Sequence, residues 1–180
     1  MDDLEGRLGD IERRVRALED KDEIAALAVR YGEVVDSHDA EALRALFTDD
    51  ARFHSANGVM DGQGIDAVMQ VLAGRWDVIK TSLHVSHGHV VELNDTDPNR
   101  ATGTVFSHAE VVRNATPMIS ALRYDDVYRR VEGRWLFAER KLSFFYYVDA
   151  ATYIDDLMSD TPVRADATPR PADLGPRRDR

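Results

Sequence analysis

With six histidines and no cysteine, this chain has imidazole, carboxylate and tyrosine hydroxyl as its candidate groups for proton chemistry near neutral pH. The missing cysteine also excludes disulfides, thiolate metal sites, iron–sulfur clusters and a thiol nucleophile. His84, His87 and His89 fall in one β-like run, and His108 falls in the next. An imidazole facing a pocket can take a proton from a substrate C–H bond or return one to a leaving group. Asp36 lies at the end of a helical pattern. A carboxylate there sits beside the negative end of the helix dipole and, inside a pocket, loses hydration, so its basicity should rise. Tyr31, on the apolar face of the same helix, is either a pocket hydroxyl or a core ring. His87-Gly-His89 followed by Glu92 invites a metal reading. Alternation along a strand sends Glu92 to the opposite face, and no further histidine motif accompanies the pair, so no metal is expected. The sequence carries no Gly-rich phosphate loop and no Ser-His-Asp order with a nucleophile elbow.

The elements that must position these groups are legible from periodicity. Leu4, Leu8, Ile11, Val15 and Leu18 follow an alternating four-three spacing, with acidic Glu5, Glu12 and Glu19 at e positions and basic Arg7, Arg14 and Lys21 at g positions. This predicts an amphipathic helix over residues 1–21 suited to parallel self-pairing, and hence a homodimer or higher homo-oligomer. A second helix is predicted from Asp22 to Asp36, a third over Ala40–Phe47 and a fourth over Ile65–Leu72. Ala51–Ala56 reads as a short strand entering a hairpin at Asn57-Gly58, a pair suited to a type I′ turn. Four long β-like runs follow: Thr81–Asn94, Ala101–Asn114, Met118–Val131 and Arg134–Val148. Runs of this length predict a strongly bent antiparallel sheet enclosing a pocket. Helices first and strands afterwards predict an α+β domain over residues 22–150. On the first long run Leu83, Val85, His87, His89, Val91 and Leu93 share one face, and His84, Ser86, Gly88, Val90 and Glu92 share the other. The first set is the more apolar, so alternation alone turns it inward. Of Tyr146 and Tyr147, alternation allows one inside without saying which.

Net charge is −10, from 23 Lys+Arg against 33 Asp+Glu, which argues against a general affinity for nucleic-acid phosphate or anionic membrane and favours a neutral or cationic small partner. The charged start and the lack of a long apolar window predict a cytoplasmic protein without a membrane span. Residues 151–180 read as an extension. From Thr161 onward it carries four of the six prolines, Pro162, Pro169, Pro171 and Pro176, and is expected to be disordered.

Four segments carry a resemblance to a known family: Arg30-Tyr-Gly-Glu-Val-Val-Asp36-Ser-His-Asp39, Ala45-Leu-Phe-Thr-Asp-Asp-Ala51-Arg-Phe53, Thr81-Ser-Leu-His84 and Gly133-Arg-Trp135-Leu-Phe137. Across about residues 20–150 the chain resembles the SnoaL-like and scytalone-dehydratase-like branch of the nuclear transport factor two-like superfamily. The resemblance implies a cone, with the bent sheet wrapped around three helices that here follow the extra N-terminal one. It also implies a convex sheet face that a partner subunit can cover. In this branch, dehydratases and a dehydrochlorinase share an Asp near the end of the first domain helix and a His on the first long strand. Asp36 and His84 match them, which turns His84 toward the pocket and makes the two an acid/base dyad needing no cofactor. Substrate contacts are expected from Tyr31, Phe53, Ser55, His108 and Tyr124. Two departures stand out: Val35 and the position near Ser55 lack the catalytic tyrosines of scytalone dehydratase, and Ser55 replaces the general base of the related ketosteroid isomerases. The expected function is a cofactor-independent lyase, a dehydratase or similar eliminating enzyme, acting on a small, mostly apolar cyclic molecule. A cyclase or isomerase with the same dyad and a non-catalytic ligand-binding or oligomerisation module are the alternatives.

Overall fold

The structure, a computed structural model, describes residues 2–164 and 168–174. The two expected N-terminal helices form one continuous helix, α1 (Asp2–Ser37), because no glycine or proline interrupts the pattern near residue 21. Its halves have different surroundings. Ile24, Leu27, Ala28, Tyr31 and Val34 are buried in the core, whereas Leu4, Leu8, Ile11, Val15 and Leu18 are all exposed. Between the halves, the buried Asp20 accepts a hydrogen bond from Trp135 Nε1 at 3.2 Å and pairs with Arg130, pinning the helix to the sheet.

α2 (Ala40–Arg44) opens on Asp39, whose side chain accepts from Ala42 N–H. It stops before the expected Phe47, because Leu46 C=O accepts from Phe137 N–H and Phe47 joins the sheet as the first residue of β1 (Phe47–Ser55). β2 (Asp61–Gln63) returns antiparallel to β1. The connecting turn differs from the expected type I′ form. Gly58 has φ of 72° but Asn57 does not share the positive φ, and Gly58 N–H reaches back to Ser55 C=O. After α3 (Ile65–Ala73) come β3 (Ile79–Leu93), β4 (Arg100–Arg113), β5 (Thr116–Val131) and β6 (Arg134–Asp149), each end within two residues of the four expected runs. Positive φ at Asn114 and Ala115, and again at Glu132 and Gly133, gives the two tight hairpins that join β4 to β5 and β5 to β6.

The six strands form one curled, unclosed sheet in the order β2-β1-β6-β5-β4-β3. The expected bent antiparallel sheet is present, with one parallel pair, β1 alongside β6. The curl comes with register shifts in the long strands, between Ser86 and His89 on β3 and beside Leu122 and Tyr128 in the β5–β6 pair. Each inserted residue bends its strand, and each reverses which side chains point inward.

β1 pairs with β6 as far as Leu142, leaving the β6 edge beyond it open. The chain after α4 (Tyr153–Leu157) covers that edge. Tyr147 N–H donates to Pro162 C=O at 2.9 Å, Arg164 N–H donates to Tyr147 C=O at 2.8 Å, and Asp173 accepts from Phe144 N–H at 2.9 Å. Val163 is 1% exposed, and Arg164 pairs with Asp156 at 2.7 Å. The expectation of disorder from Thr161 is therefore corrected for the described residues. Open strand-edge amides and one apolar side chain give this proline-rich segment backbone partners. The rest of that expectation falls on residues 165–167 and 175–180, which lie outside the described residues. Among the described residues, no helix is long and apolar enough to cross a membrane.

Candidate active site

α1 ends where His38 takes φ of 57°. His38 N–H bonds Val35 C=O and Asp39 N–H bonds Val34 C=O, the paired closure of a helix ending in a left-handed residue. That stop leaves Asp36 in the last turn, against β3. Asp36 Oδ2 accepts the backbone N–H of His84 at 2.7 Å, and Oδ1 lies 2.6 Å from His84 Nδ1. A carboxylate can only accept, so Nδ1 carries the ring proton and the lone pair lies on Nε2. His84 lines a cavity inside the cone while Asp36 stands behind it.

The approach of helix to strand depends on Gly32, one turn before Asp36. A Cβ there would stand 3.2 Å from His84 Cβ and 3.5 Å from His84 C=O. A branched side chain cannot be accommodated at that spacing. Gly32→Val is expected to push β3 away from α1 and to break the short Asp36–His84 contact, read as loss of the protected Nδ1 proton signal by NMR. A retained signal would show that the strand can yield.

Burial pushes the Asp36 carboxyl up, but hydrogen bonds from the His84 ring and the His84 amide outweigh it and hold the group below the ordinary carboxylate range. The expected rise in basicity is thus corrected. The donors facing the carboxylate dominate over the helix dipole and partial burial. Because the folded value lies below the unfolded one, ionised Asp36 stabilises the fold above about pH 4, and this contribution is lost as pH falls through the depressed value. Asp36→Asn should flatten that part of the acid-unfolding curve measured by circular dichroism. An unchanged slope would contradict the assignment.

The alternation problem on β3 has a structural answer that neither parity choice anticipated. Two residues of β3, His87 and Gly88, sit opposite Phe106 between the Ser86–Ser107 and His89–Val105 pairs. Before the bulge His84 is turned inward and Leu83 and Val85 are exposed; after it His89, Val91 and Leu93 are the inward residues. His87 remains on the outer face with His108, their rings bonded Nε2 to Nδ1 at 2.7 Å. His87 and His89 therefore point to opposite faces and do not converge.

Of the other expected contacts, Tyr31, Phe53 and Tyr124 line the cavity with His84. Ser55 is buried but serves the β1–β2 turn, donating to Asn57 Oδ1 at 2.7 Å and accepting from Met60 N–H at 2.9 Å. His108 is exposed on the outer face, so its expected role in the pocket is corrected: β4 carries no inserted residue here, and alternation places Ser107 and Ala109 inward instead. Tyr147 is the inward member of its pair. A residue inserted in β6 beside Phe144 brings both Phe144 and Tyr147 to the cavity.

The tyrosines rest on a group that alternation did not single out. Arg140, 1% exposed, lies over the rings of Tyr124, Tyr31 and Phe137 at 3.8, 4.2 and 4.3 Å. Its Nε is 3.1 Å from Asp126 Oδ1, an ion pair sealed in the core. Asp126 also accepts from Tyr128 Oη at 2.8 Å, and His89 Nε2 reaches the same hydroxyl at 3.1 Å. With the Tyr128 proton committed to Asp126, His89 must donate through Nε2. Burial, followed by the charge of Arg140, pushes His89 down and keeps it neutral. Burial likewise pushes Tyr31 and Tyr124 up, so both hydroxyls stay protonated beside the cavity.

The family model described as a SnoaL-like domain matches residues 16–141. A search of the curated proteins finds no significant match. Among solved structures, a candidate scytalone dehydratase of Novosphingobium aromaticivorans aligns with TM-score 0.68 at 21% identity, over 76% of this chain and 91% of that one. A hexachlorocyclohexane dehydrochlorinase of Novosphingobium barchaimii aligns with TM-score 0.67 at 18% identity, over 77% and 94%. A protein of unknown function with a cystatin-like fold from Nostoc punctiforme aligns with TM-score 0.54 at 23% identity, over 69% and 90%. At these identities the likenesses establish the fold that the chains share, while the match of the family model over most of the sequence establishes that the chain belongs to the SnoaL-like domain family.

Proposed function

We propose that the chain is a cofactor-independent lyase that eliminates water or a comparable leaving group from a small, largely apolar cyclic substrate. The observation that carries this reading is the Asp36–His84 pair, with the basic Nε2 on a ring that lines an aromatic cavity. Nε2 takes the proton from a substrate carbon, the C–H electron pair becomes the new C=C bond, and the leaving group departs from the neighbouring carbon with its own bonding pair. The imidazolium, balanced by ionised Asp36, then gives its proton to the departing hydroxyl, so the net change is loss of water. Tyr31 and Tyr124, both kept neutral, donate hydrogen bonds to a substrate oxygen on which charge develops. The names of the two enzyme relatives, a dehydratase and a dehydrochlorinase, are consistent with an elimination. The test is a panel of cyclic compounds carrying a hydroxyl or halide β to an acidic C–H, followed by mass spectrometry for loss of water or hydrogen halide. Rearrangement without mass loss would favour the isomerase reading. Saturable binding without turnover would favour the binding module.

The projecting half of α1 supports a second copy of the chain as partner. Leu8 is 51% and Ile11 53% exposed, on the seam whose flanking charges favour parallel pairing. Leu8→Asp or Ile11→Asp should lower the mass seen by sedimentation equilibrium to that of a monomer, with the cavity unaffected. An unchanged mass would exclude this helix as the interface.

A further inference from the structure

One end of the cavity has a polarity that elimination by the dyad does not require. Arg75, in the connection between α3 and β3, lines the cavity beside Tyr147 and also lines a smaller recess that continues past it, together with Arg113 and Arg170. Among the described residues, Arg75 donates to the sulfur of Met60, and neither Arg75 nor Arg113 has a carboxylate within ion-pair distance. Among the described residues, Arg113 Nη1 is buried without a hydrogen-bond partner, and so is the hydroxyl of Tyr147, a residue 6% exposed that lies beside Arg113. Buried donors of this kind are costly to leave unpaired, and a guanidinium most of all. The contrast with Arg140 is instructive, because that arginine is buried with its own Asp126.

We infer that Arg75, Arg113 and Tyr147 form a carboxylate-binding end of the cavity, so that the substrate class is a small cyclic or aromatic monocarboxylate. This inference rests on the lyase reading for the reaction and adds the chemical class of its substrate. The guanidinium fork of Arg75 and the free Nη1 of Arg113 can take the two carboxylate oxygens, with Tyr147 donating a further hydrogen bond. The ring would then lie among Phe53, Leu122 and Phe144, toward His84. Burial, followed by the neighbouring charge of Arg113, pushes Arg75 down, as expected of cations that lack a counter-ion. The acidic balance of the whole chain, which favours a neutral or cationic partner, does not extend to this end of the pocket.

The test uses the full chain and two probes of equal shape, 2-naphthoate and its neutral amide, titrated by calorimetry. The carboxylate should bind at least about tenfold more tightly than the amide, and Arg75→Met and Arg113→Gln should each remove most of that preference. In His84→Ala the preference should persist although elimination is lost, which separates this inference from the acid/base reading. Where Arg75→Met fails to fold, Arg113→Gln alone decides, with circular dichroism as the check on its fold. Equal affinities for the two probes, no saturable binding of the carboxylate, or a preference that survives in folded Arg113→Gln would overturn the assignment.

Discussion

Asp36→Asn is expected to cut turnover by about a hundred- to ten-thousand-fold while the chain stays folded, the range that loss of a positioned general base produces. The reason lies in the two hydrogen bonds made by the carboxylate. Oδ2 accepts the backbone N–H of His84, and an asparagine would keep its carbonyl oxygen there, turning its NH₂ toward Nδ1. The ring would then have to accept at Nδ1 and carry its proton on Nε2, so the nitrogen aimed at the substrate could no longer act as a base. His84→Ala removes the proposed base and should lose at least as much. The two losses should not add in the double variant, because the residues act as one unit. Initial rates on the best compound of the elimination panel, with circular dichroism as the folding check, measure this. Retained turnover in both single variants would remove the dyad from the mechanism.

The second large effect is on stability. Arg140→Met leaves the Asp126 carboxyl, which burial already pushes up to about 6, enclosed without its counter-ion, so that it must take up a proton or remain an uncompensated charge, and strips the cation from beside Tyr31 and Tyr124. Breaking a buried ion pair from one side costs about 3–5 kcal/mol, a large part of the stability of a domain of this size. Urea unfolding followed by tryptophan fluorescence should show that loss. The double variant Arg140→Met with Asp126→Leu should recover most of it, since replacing both charges by apolar groups removes the uncompensated one. A cost below about 1 kcal/mol for Arg140→Met would show that Asp126 finds water or another partner, contrary to its enclosure in the core.

How much of this was legible in the residues depends on where strand alternation holds. The four long strands were readable because β-branched and aromatic residues run between turn signals such as Asp95-Thr-Asp-Pro-Asn99 and Glu132-Gly133. Facing was not readable. On β3 the residues inserted at His87-Gly88 let His84 and His89 share one side, and on β6 the insertions beside Tyr128 and Leu122 do the same for Phe137 with Arg140 and for Phe144 with Tyr147. A bulge is a tertiary solution to bending a long sheet, and Gly88 was its one visible mark in the sequence. His108 faces outward because its strand runs without an insertion at that point. Arg140 and Asp126 had a weaker signal, two charges set in otherwise apolar stretches of adjacent strands. The C-terminal segment has the composition of a solvated tail, whereas its partner is a strand edge left open by the early end of β1, which composition does not reveal.

Asp36 is expected to set the tautomer of His84 so that Nε2 presents a lone pair to the cavity. Long-range proton–nitrogen NMR of the histidine rings, in wild type and in Asp36→Asn at neutral pH, reads this directly and requires no substrate. Wild-type His84 is expected to be protonated at Nδ1, with a strongly downfield Nδ1 proton, and to switch to the Nε2-protonated form in Asp36→Asn. A wild-type His84 protonated at Nε2, or a tautomer indifferent to the substitution, would contradict it.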